Sequence, residues 1–324
     1  FRLTTNLGGV DAAVQVEHNG AIYLNGEMGF DQFTLGATVA RNEDTAAYND
    51  FAVYGGADLG VVNVDAAFYA TGAEEKDNTA IGVAASSDIT EQLNVYAEYV
   101  TAGEKSDIDS GYTLGAAFTQ GLIRIAGEYD RNESDRDQTI EASVVYRGSE
   151  DNVAFGDLFK ANQYYKNVAP AFGLTYTVST PDEKKATTTI TLKGTAPVVA
   201  DQLWVLGSIE AKSNEDGFDI GDGPADGATA ASSTTVKLQG YAPYGKLTFI
   251  PSITSTSYSK VVDVDGAREG GYSTLDVALD VEYAVAADAT LFFGIGQSTE
   301  SGPGEFAGDD DLVRYTEFGV KVSF

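Results

Sequence analysis

Glu317-Phe318-Gly319-Val320-Lys321-Val322-Ser323-Phe324 ends the chain, and its reading decides the fold. Phe318, Val320, Val322 and Phe324 share one parity; Glu317, Gly319, Lys321 and Ser323 share the other. That is period 2, a strand with one apolar and one polar face. The strand stops on an aromatic, with no polar tail behind it. A soluble sheet has little use for an apolar ring at its rim, whereas a strand that crosses a lipid–water interface uses the ring as an anchor.

The same alternation recurs along the whole sequence. Val10–His18 is followed by Asn19-Gly20, a strong hairpin signal. Ile22–Phe30, Phe33–Ala40, Phe51–Asp58, Val61–Ala70, Thr79–Ser86, Leu93–Val100, Tyr112–Thr119, Leu122–Asp130 and Gln138–Arg147 continue the pattern. Ala171–Ser179, Thr187–Thr195, Leu203–Lys212, Ser233–Ala242, Lys246–Ser257, Tyr272–Val285, Ala289–Gln297 and Leu312–Phe324 complete it. The expectation is about 18 strands, with 16 and 20 as rough bounds, at a spacing that suits strands of roughly 9–11 residues plus connections. Phe1–Gly9 fits less well and reads as a plug segment or a partial strand.

Read backwards from Phe324, the connections alternate long and short. Thr299–Asp311, Ser259–Gly271, Ser213–Ser232, Arg131–Asp137, Ala102–Gly111, Thr71–Asn78 and Arg41–Asn49 are long. Ala286–Asp288, Pro243–Gly245, Ala196–Gln202, Gln120-Gly121, Asp88–Gln92 and Leu59-Gly60 are short. Long loops on one side and tight turns on the other describe an all-β, transmembrane, antiparallel up-and-down barrel, read as one domain over residues 1–324. Parity places Phe324 with the short turns. Asn19-Gly20 falls on the long side as an exception. A larger exception is Gly148–Val168, where a turn is due. The spacing of Leu158, Phe159, Ala161 and Tyr165 there reads as a helix over 156–165 that caps the floor; the alternatives are a segment folded inward or a hidden pair of short strands. If the barrel closes, the last strand meets either Val10–His18 or Phe1–Thr5.

Composition narrows the function. Twenty basic residues against 49 acidic ones give a net charge of −29. Such a chain repels phosphate, so nucleic acid is not an expected partner. No cysteine is present, which removes disulfides, thiol nucleophiles and thiolate metal sites. No run approaches 18 apolar residues, so no transmembrane helix is expected. The chain begins at Phe1 without an export signal, as a trimmed chain would.

The ending Glu317-x-Gly319-x-x-Val322-x-Phe324 resembles the carboxyl-terminal assembly signal of bacterial outer-membrane β-barrels, with all four defined positions matched. More loosely, the Gly/Ala/Thr/Asp-rich strands resemble the barrel portion of porins that carry S-layer-homology domains. The resemblance implies a bacterial outer-membrane location, recognition by the barrel-insertion machinery, and contact with outer-membrane lipids.

With the apolar parity toward lipid, the opposite parity is acid-rich. Asp58, Asp65, Glu98, Glu128, Asp276, Asp280 and Glu282 stand there with Arg124, and these are the expected pore-lining residues. A water-filled lumen keeps such charges hydrated, and its potential favours cations. Asp216, Asp219 and Asp222, in a Gly-rich stretch, offer hard oxygen ligands for Ca²⁺, weighed against plain solvated loop charge; the same choice applies to Asp309–Asp311. No cofactor is required. His18, the only histidine, sits at a hairpin turn and reads as surface; no residue is expected to do chemistry. Gly8-Gly9 and Gly55-Gly56 lack the helix and Lys of a phosphate loop. Trp204, Tyr69, Tyr99, Tyr129, Tyr146 and Tyr283 read as an interfacial girdle.

The leading expectation is therefore a porin: passive diffusion of small hydrophilic solutes and ions, leaning toward cations. Against it stands a structural anchor for an envelope or S-layer assembly, with the lumen closed by 148–168 or by 1–9 and with envelope or homo-oligomer partners. A soluble β-sandwich adhesin is a third reading.

Overall fold

The computed structural model describes residues 2–16, 22–42, 48–70, 79–103, 109–182, 184–200, 202–220, 228–262, 269–286, 289–302 and 313–322. His18, the Asn19-Gly20 turn, Asp222, Asp309–Asp311 and Phe324 lie outside the described residues. The strands are β1 (Arg2–Leu7), β2 (Val10–Val16), β3 (Ile22–Phe30), β4 (Phe33–Asn42), β5 (Tyr48–Asp58), β6 (Asn63–Ala70), β7 (Thr79–Asp88), β8 (Leu93–Ala102), β9 (Gly111–Gln120) and β10 (Ile123–Asn132). They continue with β11 (Gln138–Tyr146), β12 (Ala171–Thr180), β13 (Thr187–Val199), β14 (Leu203–Asp219), β15 (Thr229–Tyr244), β16 (Leu247–Val262), β17 (Glu269–Ala286), β18 (Ala289–Ser301) and β19 (Val313–Val322). All nineteen belong to one sheet. Among the described residues no helix is long and apolar enough to cross a membrane, a statement that does not bear on strands. The chain divides into two compact units, residues 1–118 with 126–140, and 119–125 with 141–324.

In the first unit each strand from β1 to β9 pairs antiparallel with the next. Period-2 alternation sets the register, because a slip of one residue would turn every side chain to the wrong face. Leu24 lies opposite Val39, Met28 opposite Leu35, and Val53 opposite Phe68. This apolar face is bare. Leu24 and Leu114 are 49% exposed and Ile81 is 48% exposed. A soluble sheet would bury that face, since a contiguous apolar surface of this extent costs roughly 25 cal/mol for each Å² left in water. Among the described residues of this unit no packed core covers that face, although the soluble-sandwich expectation requires one.

Of the two readings of the amino-terminal stretch, plug or strand, the structure has the strand. Arg2–Leu7 is in unbroken register with β2, from Arg2 opposite Gln15 to Leu7 opposite Val10. Gly8 and Gly9 form the turn between them with φ of 63° and 95°, values that L side chains rarely adopt. β2 is flanked by β1 and β3, so both edges of Val10–Val16 are paired.

The second unit pairs β12 through β19 in the same consecutive way. Its strands are longer: 17, 16, 16 and 18 residues for β14 to β17. Within the segments read from sequence as the loops 213–232 and 259–271, residues 213–219, 229–232, 259–262 and 269–271 are strand. Bulges interrupt the register between Ser213 and Phe218 and between Tyr258 and Val261. Beyond them Ala228, Ala230, Val261 and Tyr272 are buried together, with Phe218, Ile220 and Tyr258 packed around them. A small core of Ala, Val, Ile, Phe and Tyr, set among Ser, Thr, Gly and Asp, thus holds the far ends of these strands.

Residues 148–170 contain no α-helix. They form a chain of turns ending in one 3-10 turn, Tyr164–Lys166. The expected helix fails because Gly156 and the polar residues Lys160, Asn162 and Gln163 leave no sustained stripe. Instead the segment wraps around Asn152 and Asn167, both buried. Asn152 Nδ2 donates to the carbonyls of Arg147 and Ala169, and its Oδ1 accepts from the amides of Val168 (2.7 Å) and Ala169 (2.9 Å). The Arg147 guanidinium donates to the carbonyls of Glu150, Asn152 and Val153.

Replacing Asn152 with Ala strands these four backbone groups, at a cost of at least ~2 kcal/mol. Limited proteolysis of the Asn152→Ala variant is expected to cut within 148–170 while leaving the strands intact.

Candidate functional site

The functional surface is the polar face. In the first unit it carries a groove of about 720 Å³. Asp58, Asp65 and Glu98, three of the expected pore-lining residues, line it together with Glu27, Asp31 and Tyr54. The pairing explains their convergence: Asp65 lies opposite Gly56, and Glu98 opposite Ala84, so small residues separate the carboxylates. Glu128 and Arg124 share a parity on β10.

Two tyrosines on this face were not singled out by sequence reading. Glu27, Gly36 and Tyr54 form one row across β3, β4 and β5. Tyr54 lies flat across Gly36, and its hydroxyl donates to Glu27 Oε2 at 3.0 Å. Asn25 Nδ2 donates to that hydroxyl at 3.3 Å and to Thr38 Oγ1 at 2.9 Å. Tyr96 repeats the arrangement: it lies over Gly115 and donates to Glu128 Oε2. The available signal was a tyrosine on the polar parity, but its glycine and carboxylate appear only once the register is known.

In the second unit Asp280, Gly294 and Glu317 form a row across β17, β18 and β19. Both carboxylates crowd the space over Gly294: an added Cβ would meet Asp280 Oδ1 at 2.8 Å and Glu317 Oε1 at 3.0 Å. Glu282 accepts a hydrogen bond from Lys321 Nζ at 2.8 Å. Asp276 lies opposite Thr254 and Ser298. Of the assembly-signal residues, Glu317 is therefore on the polar face, Gly319 lies beneath the Phe292 ring, and Val322 is exposed on the other parity. Asp216 Oδ2 accepts the Lys185 amide at 3.2 Å, and Asp219 ends β14 opposite Thr229. Among the described residues no group of three or more His, Cys, Asp or Glu is placed to hold a metal ion.

The segment 148–170 covers part of this same polar face. Phe159 lies against Gly173, where an added Cβ would meet its ring at 2.8 Å. Tyr165 stacks on Tyr241, with centroids 4.0 Å apart and planes 8° from parallel. Trp204 Nε1 donates to the Asn167 carbonyl at 3.0 Å and meets Tyr241 edge-on. Trp204 is thus a clamp for this segment rather than part of an interfacial girdle. Tyr69, opposite Ala52 and Ala80, is likewise on the polar parity. Tyr99, Tyr146 and Tyr283 do stand exposed on the apolar face. Leu158 and Tyr164 are fully buried. Burial pushes the Tyr164 phenol up to about 12, against a smaller opposite pull from Gln239.

A bare apolar face, a charged opposite face and consecutive antiparallel pairing define the class. The chain has the fold of an antiparallel up-and-down β-barrel of the kind that crosses outer membranes. No family model and no curated protein matches the chain. Solved structures do. Acinetobacter baumannii OccAB2 superposes with a TM-score of 0.56 at 11% identity, covering 97% of this chain and 91% of that one. Pseudomonas aeruginosa OprD gives 0.54 at 14% identity, covering 95% and 91%. Pseudomonas aeruginosa OpdK, solved with vanillate, gives 0.54 at 12%, covering 96% and 93%. At these identities the likeness is one of fold.

The raised Tyr164 pKa has a definite sign. An unfolded phenol ionises near 10 and this one near 12, so its contribution is complete below pH 10 and is lost as pH rises from 10 to 12. Trp204, the only tryptophan, reports on the segment it holds. Its emission is expected to shift to the red over that window ahead of any loss of β-sheet circular dichroism, and Tyr164→Phe should remove the shift.

Proposed function

We propose that the chain is an outer-membrane channel for passive diffusion of small hydrophilic solutes, with a preference for cations. The observation that carries this reading is the groove lined by Glu27, Asp31, Asp58, Asp65 and Glu98. Five carboxylates on one wall, beside small residues and without a basic side chain in the lining, lower the energy of a cation and raise that of an anion. Such a row of carboxylates suits a wall that water reaches; sealed in a dry core the same groups would destabilise it. The apolar face meets outer-membrane lipid in this reading, and the final strand is the part offered to the insertion machinery. The fold shared with OprD and the Occ proteins supports a channel of this general kind. No residue is assigned a chemical step.

A second reading has its own observation. Residues 148–170 lie on the polar wall of the second unit and are held there by Leu158, Tyr164, the Tyr165–Tyr241 stack and Trp204. A segment packed this firmly also suits an anchor whose lumen is closed.

Planar-bilayer recording separates the two. The channel reading expects the intact protein to conduct, with a reversal potential in a KCl gradient that reports cation preference. The triple variant Asp58→Asn, Asp65→Asn, Glu98→Gln should move the permeability ratio several-fold toward unity. An intact protein that is silent, with current appearing only after residues 152–166 are replaced by a short linker, would establish the plugged anchor instead.

A further inference from the structure

The polar wall carries aromatic rings that glycine alone permits to lie flat. In the first unit a Cβ at Gly36 would overlap the Tyr54 ring, and one at Gly115 would overlap the Tyr96 ring. In the second unit the same holds for Gly296 beneath Tyr315, and a Cβ at Gly319 would meet Phe292 Cε1 at 2.6 Å. In each case the glycine and the ring are direct cross-strand neighbours: Gly36 with Tyr54, Gly115 with Tyr96, Gly296 with Tyr315, Gly319 with Phe292. Four such pairs are more than a packing accident requires. Glycine weakens a strand interior, so its repeated placement beneath a ring needs a return. By contrast, a Cβ at Gly26, on the apolar parity, would touch only Val10 at 3.8 Å.

We propose that these glycines set the free width of the channel by letting aromatic side chains lie against the wall instead of standing into the lumen. The inference rests on the channel reading above. A tyrosine on the inner face of a strand projects roughly perpendicular to the sheet unless its neighbour leaves room for it to fold over. Over glycine the ring lies along the sheet, and its hydroxyl reaches a carboxylate on the next strand. Tyr54 reaches Glu27, and Tyr96 reaches Glu128. The hydrogen bond then holds both partners down: the ring is kept off the lumen and the carboxylate is kept at the wall, where it contributes charge without obstructing passage. Gly36 and Gly115 act through Tyr54 and Tyr96 and are positioning residues. A methyl group at either position leaves the ring one direction to move, away from the backbone and into the water-filled space.

Single-channel current in a planar bilayer reads the effect. Gly36→Ala is expected to lose part of the current of the unaltered protein. The double variant Gly36→Ala with Tyr54→Ala is expected to regain it, because the displaced ring is gone. Gly26→Ala, a strand glycine on the apolar face, is the control and should leave the current unchanged. Heat-modifiable gel migration establishes that each variant is folded; should Gly36→Ala fail to fold, Gly115→Ala with and without Tyr96→Ala makes the same comparison. A folded Gly36→Ala channel with undiminished current, or a double variant that stays as low as the single, overturns the width-setting role while leaving the channel reading standing. An unaltered protein that carries no current overturns the channel reading itself, and the width-setting role with it.

Discussion

Every backbone amide and carbonyl that enters a hydrocarbon layer must find its partner inside the protein. The rest of this structure follows from that constraint. Strands meet it by pairing with their sequence neighbours, and the registers from β1 to β9 and from β12 to β19 are nearly unbroken. Once the backbone is satisfied, the side chains are free to divide. In the proposed channel, Leu24, Leu35, Ile81 and Leu114 can stand bare on one face because lipid, not water, meets them. Glu27, Asp65 and Glu98 can stand on the other because water does. The two faces are complementary consequences of one pleat, in which consecutive residues point in opposite directions.

The polar wall is more than a solvated surface. Its charges are arranged by small neighbours. Gly56 leaves room for Asp65, Gly294 for Asp280 and Glu317, and Gly36 for the ring that holds Glu27. In the second unit an entire segment, 148–170, is laid onto the wall and fastened by hydrogen bonds and aromatic stacking. Its asparagines do the work that a longer segment assigns to a hydrophobic core. Asn152 ties together Arg147, Val168 and Ala169, and Asn167 accepts the amide of Val153 and donates to the Leu158 carbonyl. A passive pore and a closed anchor differ chiefly in how far this one segment obstructs passage.

Most of the strand pattern was legible in the sequence, for a physical reason. Where one face meets lipid, alternation is obligatory, so Ile22–Phe30 could be read to the residue, and Gln138–Arg147 to within one. The extensions of β14 to β17 were not legible. Past the apolar band neither face must be greasy, and Ser213–Asp219 reads like any polar loop. The 148–170 segment was misread because a few apolar residues at helical spacing resemble a helix when their true partners, Tyr241 and Trp204, lie far away in the chain. Trp204 and Tyr69 were misjudged because position near a strand end was weighed above parity, and parity was the better guide. Parity alone placed Asp58, Asp65 and Glu98 on the polar face, whereas Tyr54 and Tyr96 needed the register that sets each beside its glycine.

The account stands or falls on the claim that one parity meets lipid and the other water. The chain has no cysteine, so single cysteines can be introduced at adjacent positions of one strand without background. Ile253 and Thr254 on β16 lie on opposite faces, Ile253 opposite Val277 and Thr254 opposite Asp276. With the protein inserted in lipid vesicles, a water-soluble maleimide is predicted to label Thr254→Cys and to spare Ile253→Cys. Equal labelling of the two, or labelling of Ile253→Cys alone, would contradict the account.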